Sequence, residues 1–398
     1  MEHKTRIKGN VHYVGVNDRN KHRFEGMWPL PYGVSYNSYL IDDEMVALID
    51  TVDICYFEVY LRKIKQVIGE RPINYLIINH MEPDHSGSIR LIKQHYPEII
   101  IVGNKQTFGM IEGFYGVTGE QYLVKEGDFL ALGHHKLRFY MTPMVHWPET
   151  MMTFDETDGV LFSGDGFGCF GTVDGGFLDT RINVDKYWGE MVRYYSNIVG
   201  KYGSPVQKAL QKLGGLPISA ICSTHGPVWT ENIAKVIGIY DRLSRYDADE
   251  GVVIAYGSMY GNTEQMAEAI AEELSAQGVK NIVMHNVTKS HPSYILADIF
   301  RYKGLIIGSP TYSNQIFPEV EALLSKILLR EVKGRYLGYF GSFTWAGAAV
   351  KRLAEFAEKS KFELVGDPVE MKQAMKDLTY TQCENLARAM ADRLKKDR

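Results

Sequence analysis

The sequence predicts an α/β protein of two domains, a strand-rich N-terminal one followed by one built on an open parallel sheet. Three observations carry that expectation. The 398 residues, 45% hydrophobic and 23% charged, are enough for two domains of ordinary size, each with its own core. A polar stretch, "DRLSRYDADEG" at 241–251, interrupts the apolar pattern near Asp247. Before it, short apolar runs alternate with loops and some helices; after it, strands and helices alternate strictly. The division is therefore expected at 1–248 and 251–398.

Composition narrows the class of function. A formal net charge of −4 argues against a nucleic-acid binder, which would carry a basic surface. The start, "MEHKTRIKGN", is charged and leads into no apolar segment, so no secretory signal is read there. No apolar run reaches the length of a membrane span. The four cysteines, Cys55, Cys169, Cys222 and Cys383, lie far apart with no CxxC pair, against a disulfide framework or a fused rubredoxin-type iron site. A cytoplasmic protein with no membrane or nucleic-acid partner is expected.

In the N-terminal half, Tyr75–Ile78 is a strand candidate that runs into "NHMEPDHSGS". His80, Glu82, Asp84 and His85 fill the following turn, and Ile89, Ile92 and Tyr96 then mark one face of a helix ended by Pro97. The pattern of a strand end carrying a metal-capable side chain repeats three times. "LRFYM" leads to "TPMVHWPET" with His146, Val160–Phe162 leads to "SGDGFG" with Asp165, and Ile218–Cys222 leads to "STHGP" with His225. A single histidine after a strand is usually a turn residue, and His134 and His135 in "LGHHKL" fit a hairpin turn. Four histidines and three carboxylates all delivered from strand ends fit a metal centre better, because buried carboxylates need a counter-charge.

In the C-terminal half, Val252–Tyr256 is a continuous apolar run, as in a strand buried on both faces. "GSMYGNTE" follows, and then Met266, Ile270 and Leu274, with Ala267 and Ala271, repeat at helical spacing. Backbone N–H groups at such a strand–loop–helix junction form an anion site, and Ser258, Asn262 and Thr263 add side-chain donors. The loop has neither the Walker lysine nor GxGxxG. Taken alone it reads equally well as a capped turn. Two more strands, Leu305–Ile307 and Tyr336–Phe340, open into "GSPTYSNQIFPE" and "GSFTWAGAAV". Three successive strand ends rich in glycine, hydroxyls and aromatics line a ligand crevice in an open α/β sheet, where Tyr312 and Trp345 can flank a flat ring.

These three loops resemble the phosphate loop and the two ring-flanking loops of flavodoxins. The resemblance implies a flavodoxin-like doubly wound sheet and FMN held by Ser258, Met259, Tyr260, Gly261, Asn262 and Thr263. To these it adds Pro310, Thr311, Tyr312, Ser313 and Asn314, and then Ser342, Phe343, Thr344, Trp345, Ala346 and Gly347. Met259 and Tyr260 stand where flavodoxins commonly have small or hydroxyl residues.

The N-terminal motif, His80-x-Glu82-x-Asp84-His85 with His146, Asp165 and His225, resembles that of the metallo-β-lactamase fold, an αββα sandwich. Its middle histidine is here Glu82. Imidazole suits zinc, whereas added carboxylate oxygen favours a harder ion in a higher oxidation state, and zinc does not change valence. With a flavodoxin-like domain behind it, nearly the whole chain resembles the flavodiiron proteins. That resemblance implies two irons per chain, one held by His80, Glu82, His146 and Asp165, the other by Asp84, His85, His225 and the shared Asp165. His85 is the position that the family does not always use, and Asp50 matches one that braces the site.

The resemblance further implies reduction of dioxygen to water, nitric oxide to nitrous oxide, or both. It implies an external donor, rubredoxin or a reduced deazaflavin coenzyme, and a head-to-tail homodimer or dimer of dimers. Two other readings compete: a zinc hydrolase of the metallo-β-lactamase type with a flavodoxin regulatory domain, and a plain electron carrier. Glu82 argues against the first and the full ligand set against the second. Residues 24–40 and Trp147 are candidates for pocket wall or interface, with ordinary core as the alternative.

Overall fold

The computed structural model describes residues 4–397 and divides into two compact units. One comprises the chain up to Tyr195 together with Tyr202–Ser244; the other comprises Ser196–Lys201 and everything from Arg245 onward.

The first unit is a sandwich of two mixed sheets. In one, antiparallel strands Arg6–Lys8, Val11–Tyr13, Tyr39–Ile41 and Ala47–Ile49 are extended by three parallel strands, Tyr75–Ile77, Ile100–Gly103 and Gln121–Leu123. In the other, Phe129–Ala131, Lys136–Met141, Met151–Asp155 and Val160–Gly164 run antiparallel, and Ala220–Ser223 lies parallel beside the last. Their facing sides share one core, with Ile41, Ile49, Ile77 and Val102 from one sheet and Leu137, Phe139, Val160 and Phe162 from the other. Helices such as Phe57–Ile68, Ile89–His95, Lys105–Tyr115, Gly203–Leu213 and Ile233–Ser244 supply the remaining layers. The helix Phe57–Ile68 buries Phe57, Tyr60, Ile64 and Ile68, a stripe at the period of an amphipathic helix.

The second unit is a parallel sheet in the order Ile282–Asn286, Asp249–Tyr256, Tyr302–Tyr312, Tyr336–Phe343, the last flanked by both Glu363–Leu364 and Val369–Lys372. By sequence this is 2-1-3-4-5, the doubly wound order whose ligand crevice lies at the carboxyl ends of the central strands. Helix Asn262–Ala276 buries Met266, Ile270 and Leu274 on the sheet, the stripe read from the sequence.

One strand is longer than its sequence suggests. "GSPTY" reads as a loop, yet Tyr302–Tyr312 continues through it, in register with Tyr336–Phe343 as far as Pro310 opposite Ser342. A two-residue hairpin then turns back to Gln315–Ile316, with Ser313 and Asn314 both at positive φ, 48° and 58°. Both central residues of a type I′ turn need that conformation. Gly, Ser and Pro signal a break locally, but pairing along the neighbouring strand overrides them.

Candidate functional site

The four candidates on the 80–85 turn are separated by local geometry. Tyr75–Ile77 is apolar and lies between two parallel neighbours, so the turn after it emerges at the sheet edge. Glu82 takes an extended conformation as N-cap, Pro83 opens a single helical turn, and Asp84 and His85 fall within that turn. His80 and Glu82 therefore point one way while Asp84 and His85 point another. His146 comes from the turn before Met151–Asp155, Asp165 from the end of Val160–Gly164 and His225 from the end of Ala220–Ser223. Gly226 follows at φ +83°, where a Cβ would stand 2.3 Å from Cys169 Sγ, so only glycine lets the chain turn under His225.

The other six side chains converge around Asp165, whose two oxygens face different partners. Oδ2 lies 3.0 Å from His146 Nε2 and 3.7 Å from His80 Nε2, and Glu82 Oε2 completes that group at 3.1 Å from His146 and 3.6 Å from His80. Oδ1 lies 3.2 Å from His85 Nε2 and 3.6 Å from His225 Nε2, with Asp84 at 3.5 Å from His85 and 3.4 Å from His225. His85 stands between the groups, its ring centroid 4.9 Å from that of His80 and 5.7 Å from that of His225.

The electrostatics of this cluster ask for cations. Burial alone would raise the Glu82 carboxyl, but hydrogen bonds with His146 and His80 hold it far below the usual carboxylate range. Asp165, also opposed by burial, is held well below by the charges of His85 and His80 and by its bond with His146. Against their own desolvation, Asp84 and Asp165 push His85 up to about 10, and bonds to Asp165 and Glu82 raise His146 well above its ordinary value. Burial raises Asp84. Both Asp84 oxygens, both His85 nitrogens and His225 Nε2 are buried without a hydrogen bond. Of these, the Asp84 oxygens face the Nε2 atoms of His85 and His225 at 3.5 and 3.4 Å, and a positive ion between them would satisfy those groups together. A donor set of imidazoles and three carboxylates fits iron.

The surrounding groups hold the cluster in place. Asp50 accepts hydrogen bonds from Asn79 N (2.8 Å), Asn79 Nδ2 (3.1 Å) and His80 N (3.4 Å), bracing the turn through its backbone. His225 Nδ1 donates to Ser35 O at 2.8 Å, and Thr224 Oγ1 donates to Asp165 Oδ1. Glu149 accepts from His80 Nδ1 at 2.7 Å and from Met81 N at 2.9 Å; sequence reasoning passed over it, although it sits three residues after His146. Phe24, Tyr36 and Tyr194 pack around the His225 ring, and Trp147 packs edge-on to His80. Of residues 24–40 most are core, with Met27 and Tyr32 exposed. A cavity of about 640 Å³, lined by Lys21, Phe24, Asp53, Arg90 and Tyr115, opens onto Glu82 and Asp84. His134 and His135 lie apart, in the hairpin between Phe129–Ala131 and Lys136–Met141, where His135 bonds Asp155 at 3.0 Å.

In the second unit a cleft of about 430 Å³ is lined by the three loops at the strand ends. Ser258, Met259, Tyr260, Asn262 and Thr263 come from the first, Pro310–Asn314 from the second and Ser342–Ala346 from the third. Gly261 caps the helix Asn262–Ala276 at φ +89° without lining the cleft, and Gly347 packs towards Glu370. Gln373, which no motif announces, completes the lining. Helix N-terminus and hydroxyls suit a phosphate, and the exposed faces of Tyr312 and Trp345 suit a flat ring.

Comparison with known proteins agrees with both units. Residues 34–226 match the family model described as ODP family beta lactamase, and residues 254–386 match flavodoxin. An anaerobic nitric oxide reductase flavorubredoxin of Vibrio vulnificus is 33% identical over 363 residues, covering 90% of this chain and 73% of that protein. A protein of the same name from Escherichia coli is 32% identical over 364 residues, covering 90% and 76%. Among solved structures, rubredoxin oxygen:oxidoreductase from Desulfovibrio gigas superposes with a TM-score of 0.94 at 31% identity, covering 98% of both chains. The flavodiiron protein from Giardia intestinalis gives 0.91 at 27% identity, covering 98% and 97%.

Proposed function

The chain belongs to the flavodiiron proteins and is an oxidoreductase, and from that premise we propose that it reduces dioxygen to water, nitric oxide to nitrous oxide, or both. The observation that carries the reading is Asp165, buried and placed with one oxygen towards His80, Glu82 and His146 and the other towards Asp84, His85 and His225. By this reading those seven residues hold two irons per chain, with Asp165 shared, and the loops at 258–263, 310–314 and 342–347 hold one FMN.

When bound, the two irons supply two electrons and open coordination positions, and reduced FMN supplies two more. The balance is O2 + 4 e⁻ + 4 H⁺ → 2 H2O, or 2 NO + 2 e⁻ + 2 H⁺ → N2O + H2O. The protein's part is to fix donor atoms and to govern protons. Glu82 and Asp84, deprotonated beside cations, neutralise charge. Tyr36 carries a buried hydroxyl without a hydrogen bond and feels the charge of Asp84, so this phenol is available to donate a hydrogen bond to substrate, while the Tyr194 hydroxyl bears on Asp165. Phe24 and Trp147 keep bulk water from the histidines.

By the same family likeness, electrons come from rubredoxin or a reduced deazaflavin coenzyme. A head-to-tail homodimer, or a dimer of dimers, would set the flavin loops of one chain against the metal-ligand cluster of its partner. The exposed apolar rim of the flavin cleft, Tyr260, Trp345, Tyr312 and Met259, is a surface a partner would cover. Among the described residues no helix is long and apolar enough to cross a membrane, and the cytoplasm is the proposed location. The test is anaerobic: reduce the holoprotein fully, mix with each gas in separate single turnovers, and follow reoxidation. Rapid reoxidation by either gas supports the reading. Turnover of esters by a zinc-loaded, iron-free preparation would favour the hydrolase instead.

A further inference from the structure

The histidines of the cluster differ in what holds the far side of the ring. His225 Nδ1 donates to a neutral backbone carbonyl, Ser35 O. His85 Nδ1 is buried with no hydrogen bond. His80 Nδ1 alone meets a carboxylate, Glu149, at 2.7 Å, with both groups fully buried. The same Glu149 oxygen also takes the Met81 N–H at 2.9 Å, so one carboxylate fixes both the ring and the backbone beside it. Glu149 has its own anchor, because Asn104 Nδ2 donates to its backbone oxygen at 2.5 Å, and Asn104 in turn caps the helix Lys105–Tyr115. Its second carboxylate oxygen is buried without a hydrogen bond, a costly arrangement for a group with only a structural task.

We propose that Glu149 is a positioning residue that holds the Nδ1 proton of His80, commits its Nε2 lone pair to the metal position shared with Glu82 and His146, and makes that position the harder of the two to reduce. This rests on the diiron reading above. With Nδ1–H on Glu149, Nε2 faces His146 Nε2 at 3.3 Å and carboxylate oxygens at 3.6 and 3.7 Å, a point where a lone pair is tolerated only beside a cation. A carboxylate behind an imidazole makes the ring a stronger donor, which favours the higher oxidation state of the metal in front of it. His225, backed by a carbonyl, lacks that push. The two metal positions, similar in donor count, thereby become unequal.

The test uses the full chain with FMN. Glu149→Gln keeps an acceptor for His80 and Met81 and removes the charge; Glu149→Leu removes both. Three readouts apply: iron bound per chain with its affinity under chelator competition, the two iron midpoint potentials, and the electron paramagnetic resonance signal of the half-reduced pair. Glu149→Gln is expected to keep two irons, raise one midpoint potential and alter the half-reduced signal. Glu149→Leu is expected to lose roughly 10- to 100-fold in affinity at one position only. Wild-type potentials and spectrum in Glu149→Gln, with wild-type affinity in Glu149→Leu, would overturn the assignment. Melting of the metal-free variants separates misfolding from this outcome, since a merely structural role would lower the melting temperature and leave the potentials of folded Glu149→Gln unmoved. Failure of the wild-type chain to hold redox-active iron would instead sink the diiron reading itself.

Discussion

Removing the metals should leave the cluster full of protons, and putting iron back should drive them out. In the metal-free fold the rings of His80, His85 and His146 are all held above their ordinary value. Desolvation works against this, but Asp165, Asp84, Glu82 and Glu149 outweigh it. A metal needs the Nε2 lone pair of each, so loading at pH 7 should release ~2 protons per chain from His85 and His146, with His80, raised less far, and Asp84, raised by burial, adding to the count. Each proton in the competition changes the apparent binding free energy by about 1.4 kcal/mol per pH unit, so two amount to about 3 kcal/mol per unit. The same shifts set the stability of the metal-free fold. His85 is raised to about 10 from 6.5; its charged form stabilises the fold fully below pH 6.5, and that contribution is lost as the pH climbs through 10. Metal-free protein should therefore unfold more readily at pH 10 than at pH 7. Anaerobic calorimetric titration with ferrous iron, in two buffers of different ionisation enthalpy, counts the protons directly. A release near zero at pH 7 would refute the argument that these carboxylates hold the histidines charged.

Other perturbations have distinct signatures. Asp165→Asn removes the charge both groups share, so iron affinity should fall by more than roughly 100-fold at both positions while the flavin spectrum stays intact; elemental analysis beside absorbance checks this. Glu82→His restores the third histidine of the metallo-β-lactamase motif and should shift the metal bound from iron towards zinc, with loss of gas-driven reoxidation, read by metal analysis after growth with both. Trp345 is 82% exposed, so Trp345→Ala should leave the melting temperature of the FMN-free chain nearly unchanged while weakening FMN binding by about 1 kcal/mol, roughly fivefold, in a fluorescence titration.

The legible parts of this molecule were those written in local pattern. The stripe Met266, Ile270, Leu274 and the run Val252–Tyr256 announce their helix and strand because period and burial coincide. His80, Glu82, Asp84 and His85 stand out because six residues hold four metal-capable groups, and His146, Asp165 and His225 because each follows an apolar run. Glu149 was invisible for the opposite reason: a lone glutamate near a strand usually faces water, and only the folded turn brings it to His80, 69 residues away. Gln373 likewise reaches the flavin cleft through tertiary placement after Val369–Lys372. The strand Tyr302–Tyr312 outruns its local pattern, which Gly308, Ser309 and Pro310 break, because register with Tyr336–Phe343 is a property of the sheet. Asp165 in "SGDG" also fits a turn, and its distances of 3.0–3.7 Å to the four histidines exclude that as its whole task.

By the diiron reading, one chain stores electrons in a metal pair as well as in a flavin, and an anaerobic reductive titration of the purified holoprotein counts them. Uptake of about four electron equivalents per chain is expected, two following the flavin absorbance and two appearing and then vanishing as a half-reduced metal signal. Uptake of two, all of it in the flavin, would contradict it.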